Sequence, residues 1–259
     1  MPKVSICIPT YEKHVSLKRL LDSIAKQKYC DIEVIITDNS KLPLKSTFFP
    51  ELLNDKVKYF HNYPSLEPAR NWNKCLSLAT GEYIKIMFDD DWFADENSLG
   101  NFVNLLEFNS DCGFAFCGSW QVSSTSKFSR AITDKQAKRI QNNYKNLMNG
   151  NFIGAPSAVF YRKNAFLFDD KLKWLVDVDF YMSIFCSGIR FCYTKEPLVC
   201  IGLSDEQLTN SCITDKKLVS FERSYIMKKY NISYKFLMPE LCREFKYALC
   251  SRIKTFIKR

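Results

Sequence analysis

The chain has 259 residues, 46% hydrophobic and 15% aromatic, which is ample for a folded core and excludes a disordered or low-complexity protein. Its formal charge of +9 is unevenly placed: residues 216–259 hold twelve basic and three acidic side chains, so residues 1–215 carry 25 of each. Eleven cysteines, an odd number without a CxxC pair and with only His14 and His61 beside them, fit neither a disulfide scaffold nor a Cys/His zinc site, and point to a reducing compartment.

Val4–Ile8 reads as a buried strand that runs directly into Pro9, too short for a secretory signal. No stretch approaches the roughly 18–20 apolar residues of a membrane span, so the expectation is a soluble or membrane-peripheral chain. Leu17, Leu20, Leu21 and Ile24 give Val15–Gln27 helical spacing. Ile32–Thr37 is a β-branched run that stops at Asp38-Asn39-Ser40, and Lys56–His61 is a third strand. Pro68 opens a helix to about Ala79, with Gly81 just past its end. Tyr83–Phe88 is a strand that stops against Asp89-Asp90-Asp91. A helix over Glu96–Phe108 and a strand over Phe114–Val122 follow. This β-α-β-α alternation implies a mostly parallel central sheet flanked by helices.

Beyond residue 122 the rhythm changes. Ser123–Arg130 reads as a mobile polar loop, and Thr133 with Gln136 as a capping box that opens a helix to about Met148. Ser157–Tyr161 is a strand, Val178–Ser187 a helix stopped by Gly188, and Arg190–Ile201 a further strand. Residues 1–210 read as one domain, which this change of rhythm divides into 1–122 and 123–210. Residues 211–259 are a basic extension.

The first of the eight glycines is Gly81, which excludes a dinucleotide-binding or phosphate-cradling glycine loop after the first strand. In parallel sheets ligands bind outside the carboxyl ends of the strands. Three polar clusters fall there: Pro9–Glu12, Asp38-Asn39 and Asp89-Asp90-Asp91. Three adjacent carboxylates repel one another unless a cation or donors compensate, and hard oxygen donors of this kind suit Mg²⁺ or Mn²⁺ bound together with substrate phosphates.

In its order and spacing the chain resembles the family 2 glycosyltransferases of the GT-A fold, over roughly residues 3–210. The similarity rests on Val4-Ser-Ile-Cys-Ile-Pro-Thr-Tyr11, on Ile32–Ser40, and on Pro68-Ala-Arg-Asn71 followed by Ala79-Thr-Gly-Glu-Tyr83 and Phe88-Asp-Asp-Asp91. The resemblance implies a donor pocket lined by Pro9, Thr10, Tyr11 and Glu12, with Asp38 accepting from a uracil base and Arg70 near the diphosphate. It places Asp89 and Asp90 beside the donor, with Asp91 and Asp89 holding Mn²⁺ or Mg²⁺. From the residues alone, Asp38 reads equally as an Asx-turn residue and Arg70 as a helix-surface charge.

Trp174-Leu-Val-Asp-Val-Asp-Phe-Tyr181 is similar to the family's acceptor-side segment. It makes Asp177 the catalytic base, Asp179 a supporting residue, and Trp174 and Gly154 neighbours of the acceptor. Asp177 also fits a helix cap. A carboxylate at a helix N-terminus is favoured in its ionised form, as a base requires. Two departures stand out: Val176 occupies a position where relatives often carry Glu, and Ser204 occupies that of a metal-completing His, where Asp205 is a substitute.

The resemblance thus implies an inverting, metal-dependent transfer from a nucleotide-diphosphate sugar, most simply a UDP-sugar. The acceptor is a glycan or a polyprenyl-diphosphate-linked saccharide, as in bacterial surface-polysaccharide assembly, which implies a cytoplasmic chain, peripheral to the inner membrane. Two other classes compete: a catalytically weak nucleotide-sugar-binding protein, and a nucleic-acid binder acting through the basic tail. The neutral body and the lack of a nucleic-acid motif argue against the latter. In the tail, Met238, Leu241, Cys242, Phe245, Leu249, Ile253 and Phe256 share one helical face. Residues 236–259 therefore read as a basic amphipathic helix suited to an anionic membrane surface or to docking on the body.

Overall fold

The computed structural model of the chain describes residues 3–204, 212, 214–233 and 236. β1 (Val4–Thr10), buried along its whole length, lies between β2 (Ile32–Asp38) and β4 (Tyr83–Ile86), parallel to both, and β3 (Val57–His61) continues the parallel set beside β2. Side chains alternate across the sheet with a period of two. Ile6 and Ile8 meet Leu17, Leu20 and Leu21 of α1 (His14–Ala25) and Phe102 of α3 (Ser98–Glu107). Cys7 and Ile35 join a second cluster with Cys75 of α2 (Pro68–Ser77) and Ile184 of α5 (Val176–Cys186). Both faces are thus covered, as parallel strands require.

The second half of the sheet is mixed. β8 (Val159–Arg162) runs antiparallel between β4 and β6 (Phe114–Val122), and β9 (Phe191–Gly202) lies parallel to β6. The two-residue β5 (Trp92–Phe93) closes the far edge beside β9, giving the order β3-β2-β1-β4-β8-β6-β9-β5. The expected parallel sheet is therefore confined to β1–β4 and the β6–β9 pair, and the antiparallel insertion of β8 joins the two.

Two local expectations change. Within Ser123–Arg130, Lys127–Arg130 is strand β7, antiparallel to β6, with all four residues exposed. The capping box forms: Thr133 Oγ1 accepts from Gln136 N–H and the Gln136 side chain accepts from Thr133 N–H. However, α4 (Asp134–Asn142) ends early, because Asn143 is extended and a 3₁₀ turn over Tyr144–Asn149 takes up the rest.

The first part of the basic extension packs beside α5. In α6 (Lys216–Lys229), capped by the Asp215 side chain, Ile226 and Met227 are buried in the cluster that contains α5. The amphipathic face predicted for 238–257 lies outside the described residues, as does Asp205. Among the described residues no helix is long and apolar enough to cross a membrane.

Candidate active site

The carboxyl ends of β1, β2 and β4 are hydrogen-bonded to one another. Thr10 Oγ1 and Tyr11 N–H both donate to Asp89 Oδ2, at 2.8 and 3.1 Å. Asn39 N–H donates to the Thr10 carbonyl at 2.9 Å, and Glu12 N–H to Ser40 Oγ at 2.9 Å. The Glu12 carboxylate returns the tie by accepting from Lys41 N–H, and its φ of +55° turns the chain sharply there. Pro9 is buried in the strand, whereas Tyr11 is half exposed above it. The four residues expected to line a donor pocket thus sit together with Asp89.

Asp38 is a different case. It is 0% exposed, with Oδ1 accepting from Ser40 N–H and Oδ2 from the Tyr59 hydroxyl, both at 2.8 Å. This is the Asx-turn arrangement, and contact between this carboxylate and a base requires the turn to open. Arg70 is exposed in the first turn of α2 and pairs with Asp170 at 2.8 Å, as a helix-surface charge does. The next residue of that motif is structural: Asn71, 3% exposed, donates to the Thr37 carbonyl and accepts from Asn62, which also donates to Asn39. Thr80 and Gly81 are likewise structural. Thr80 donates to the buried Glu33 carboxylate, and a Cβ on Gly81 would stand 2.8 Å from Ser5 N.

The acidic turn holds more negative charge than its neighbours offset. Lys13 lies 3.6 Å from Asp90. Burial, reinforced by Asp90, pushes the Asp89 carboxyl up to about 6 and the Asp91 carboxyl well above the usual carboxylate range. Asp91 is 2% exposed and accepts from Gly202 N–H at 3.0 Å. Asp89 keeps Oδ1 without a hydrogen-bond partner among the described residues. Among the described residues no three metal-binding side chains gather there, but Mg²⁺-type ions are held by one or two carboxylates plus substrate phosphates, and this donor set fits that mode. Arg19 was not expected here. Its guanidinium sits 3.6 Å over the Trp92 ring and donates to the Asp90 carbonyl, bracing the turn from α1. A hollow of about 710 Å³ beside Arg19 and Trp92 contains none of Thr10, Asp38, Asp89 or Asp177 in its wall, and is not the donor site.

A short segment, residues 151–157, links this turn to Asp177. At its end, Ser157 Oγ accepts from the N–H of Phe88, the residue before the acidic turn. The buried Lys85 ammonium donates to the Ser157 and Val159 carbonyls from behind. At its start, Asn151 donates to Asp177 Oδ2 at 2.7 Å and to the Gly154 carbonyl at 2.9 Å. Gly154 has a φ of +113°, a conformation that favours glycine. Asp177, in the first turn of α5, also accepts from Val178 N–H, yet burial outweighs these donors and raises its carboxyl to about 6. The helix terminus and desolvation thus oppose each other at Asp177, and desolvation is the larger. At neutral pH the group remains ionised and more basic than an ordinary carboxylate.

Asp179 is 1% exposed and accepts from Lys229 and from the Tyr230 hydroxyl, so its carboxylate is engaged by the C-terminal helix. Trp174 is half-buried, with the Arg223 guanidinium 5.7 Å from its ring. The resemblance extends to Asn151–Ser157 as a segment bordering the acceptor pocket, whereas Arg130, whose guanidinium donates to the Asn151 carbonyl, was missed because only tertiary structure brings it there.

The sequence profile of the family described as Glycosyl transferase family 2 matches residues 5–168. The uncharacterized protein MT1568 of Mycobacterium tuberculosis is 27% identical over 199 residues, covering 71% of this chain and 62% of that protein. The GalNAc(5)-diNAcBac-PP-undecaprenol beta-1,3-glucosyltransferase of Campylobacter jejuni is 33% identical over 94 residues, 35% of this chain and 30% of its own. Among solved structures, S. aureus TarS 1–349 in complex with UDP-GlcNAc superposes with a TM-score of 0.65 at 17% identity, over 81% of this chain and 61% of that one. The mannosyltransferase PcManGT from Pyrobaculum calidifontis, in complex with GDP-Man and Mn²⁺, gives 0.59 at 15% identity, over 84% and 62%. This chain thus spans about six-tenths of the length of MT1568 and of both solved chains. With the profile covering more than half of its residues, the chain belongs to glycosyl transferase family 2 and has the GT-A fold.

Proposed function

We propose that the chain transfers a sugar, with inversion, from a nucleotide-diphosphate donor to a hydroxyl of a saccharide acceptor. The observation that carries this reading is the 151–157 segment, bonded at one end to Phe88 N–H, directly before the acidic turn beside Thr10 and Tyr11, and at the other to Asp177. It ties a site with the chemistry for a diphosphate to a desolvated base. The nucleotide sugars bound by the two solved relatives support this donor class, and UDP is the simplest choice.

In this reading Thr10, Tyr11 and Glu12 hold the nucleotide, with Asp89 on its ribose side. Asp89 and Asp91 would hold Mn²⁺ or Mg²⁺, which when bound neutralises charge on the leaving diphosphate. Asp177 takes the proton of the acceptor hydroxyl. That oxygen forms a bond to the anomeric carbon from the face opposite the diphosphate, which leaves with the electron pair of the broken C–O bond. Asn151 orients Asp177, and Arg130 favours its ionised form. Release of nucleotide from a panel of UDP- and GDP-sugars, with alkyl glycosides as acceptors, tests the assignment. UDP release that depends on an acceptor is the expected result, and a preference for GDP-sugars would overturn the base choice.

The lipid-linked acceptor named for the Campylobacter relative supports a polyprenyl-diphosphate-linked saccharide as acceptor, in surface-polysaccharide assembly at the cytoplasmic face of a membrane. Residues 236–259 would supply attraction to an anionic surface, about 1 kcal/mol for each nearby Lys or Arg. Flotation with anionic liposomes should show binding that truncation before Phe236 removes. Salt-insensitive binding after truncation would count against it.

A further inference from the structure

α5 begins without a cap of its own. The residue at its N-cap position is Leu175, which has no side-chain acceptor to offer the free N–H groups at the start of a helix. The turn that leads into the helix, up to the N-cap N–H, is held instead from α6, 47 to 49 residues further along the chain. Glu222, 0% exposed, accepts from Lys173 N–H at 2.7 Å, from Trp174 N–H at 3.0 Å and from Leu175 N–H at 2.8 Å. Three consecutive backbone N–H groups thus close on one carboxylate, the arrangement of an anion-binding nest. One turn further into α5, Lys229 and Tyr230 hold the Asp179 carboxylate at 2.8 and 2.9 Å. α6 therefore grips the start of α5 on both sides of Asp177.

We propose that Glu222 is a positioning residue of the acceptor side, fixing the Lys173–Leu175 turn so that Trp174 and Asp177 present a preformed surface to the acceptor hydroxyl. This rests on the assignment of Asp177 as the base. It makes α6 part of the transfer site and separates its role from any membrane contact made by residues further on. The donor site gains nothing from Glu222, because Thr10, Tyr11 and Asp89 are bonded to one another at the opposite end of the 151–157 segment.

The test uses the full chain with Glu222→Gln, whose amide turns an N–H donor toward backbone donors, and Glu222→Asp, which keeps the charge and shortens the reach. Hydrogen exchange is followed at residues 173–175, UDP affinity is measured by calorimetry with Mn²⁺, and transfer is measured from UDP-GlcNAc to octyl β-D-glucoside. For E222Q the expected results are exchange at least about tenfold faster, acceptor kcat/KM lower by about tenfold or more, and UDP affinity within about twofold of wild type. E222D should fall between. Unchanged exchange, or faster exchange with unchanged acceptor kcat/KM, would overturn the proposal, as would failure of both variants to fold, which would make Glu222 a stability residue. A wild-type chain that neither binds UDP nor transfers would instead overturn the underlying transferase reading and the acceptor role with it. The exchange arm would then still decide whether Glu222 holds the turn.

Discussion

Replacing Asp177 by Asn separates catalysis from stability in one experiment. Burial raises the Asp177 carboxyl from 3.8 to about 6, so the folded chain holds this proton more tightly than the unfolded chain does. The resulting stabilisation is fully present below the unfolded value near 4 and is lost as pH rises through about 6. Two pKa units at about 1.4 kcal/mol each give a loss of up to about 3 kcal/mol between pH 4 and 7. Because Asp177 is partly exposed, that figure is an upper bound. Asn cannot titrate, so the stability of D177N relative to wild type should rise with pH over this window. At roughly 2–4 °C per kcal/mol for a domain near this size, the midpoint gap, taken as D177N minus wild type with its sign, should increase by up to about 6–12 °C. Thermal unfolding of both proteins from pH 4.5 to 7.5 reads this directly. Transfer, in contrast, should fall by about 10²–10⁴. A midpoint gap that stays constant or decreases as pH rises would refute the desolvation argument.

Three further outcomes follow from neighbouring contacts. Asp91→Ala should weaken Mn²⁺-dependent UDP binding measured by calorimetry, and a chelator should reproduce the loss in wild type; affinity indifferent to both would remove the metal role. Transfer by wild type should rise with pH through about 6 as Asp177 ionises, and Asn151→Ala, which removes a hydrogen bond that favours the carboxylate, should move that midpoint upward in a pH–rate profile. Gly202→Ala would place a Cβ 2.4 Å from the Asp90 carbonyl and force the acidic turn to shift. A loss of about 1–3 kcal/mol in denaturant unfolding, with weaker UDP binding, is expected.

The first part of the chain was legible because its information is local. Ile6, Ile8, Val34 and Ile36 lie in β-branched or apolar runs, and the polar residues that end those runs are the ones that meet in space. β7 escaped because its four residues are all exposed, so no alternation of apolar and polar positions marks an edge strand of that kind. Resemblance and residue chemistry diverged at Asp38, where the Asx-turn alternative describes the observed bonds. At Asp177 the helix dipole was visible in the sequence but the desolvation that outweighs it was not, since it depends on what the fold packs around the carboxylate. The same holds for the bonds made by Asn151 and Glu222, whose partners lie 26 and 47 to 49 residues away. The charge of +9 has also divided: Lys229 pairs with Asp179 of α5, while the basic residues beyond 236 lie outside the described residues.

Parallel measurement of UDP affinity and sugar transfer by wild-type and D177N protein bears most directly on the central claim, that donor binding at the strand ends and base catalysis at Asp177 are separate parts of one site. The account predicts UDP affinity within about twofold and transfer reduced by at least about 100-fold in the variant. Transfer by D177N at the wild-type rate would contradict it.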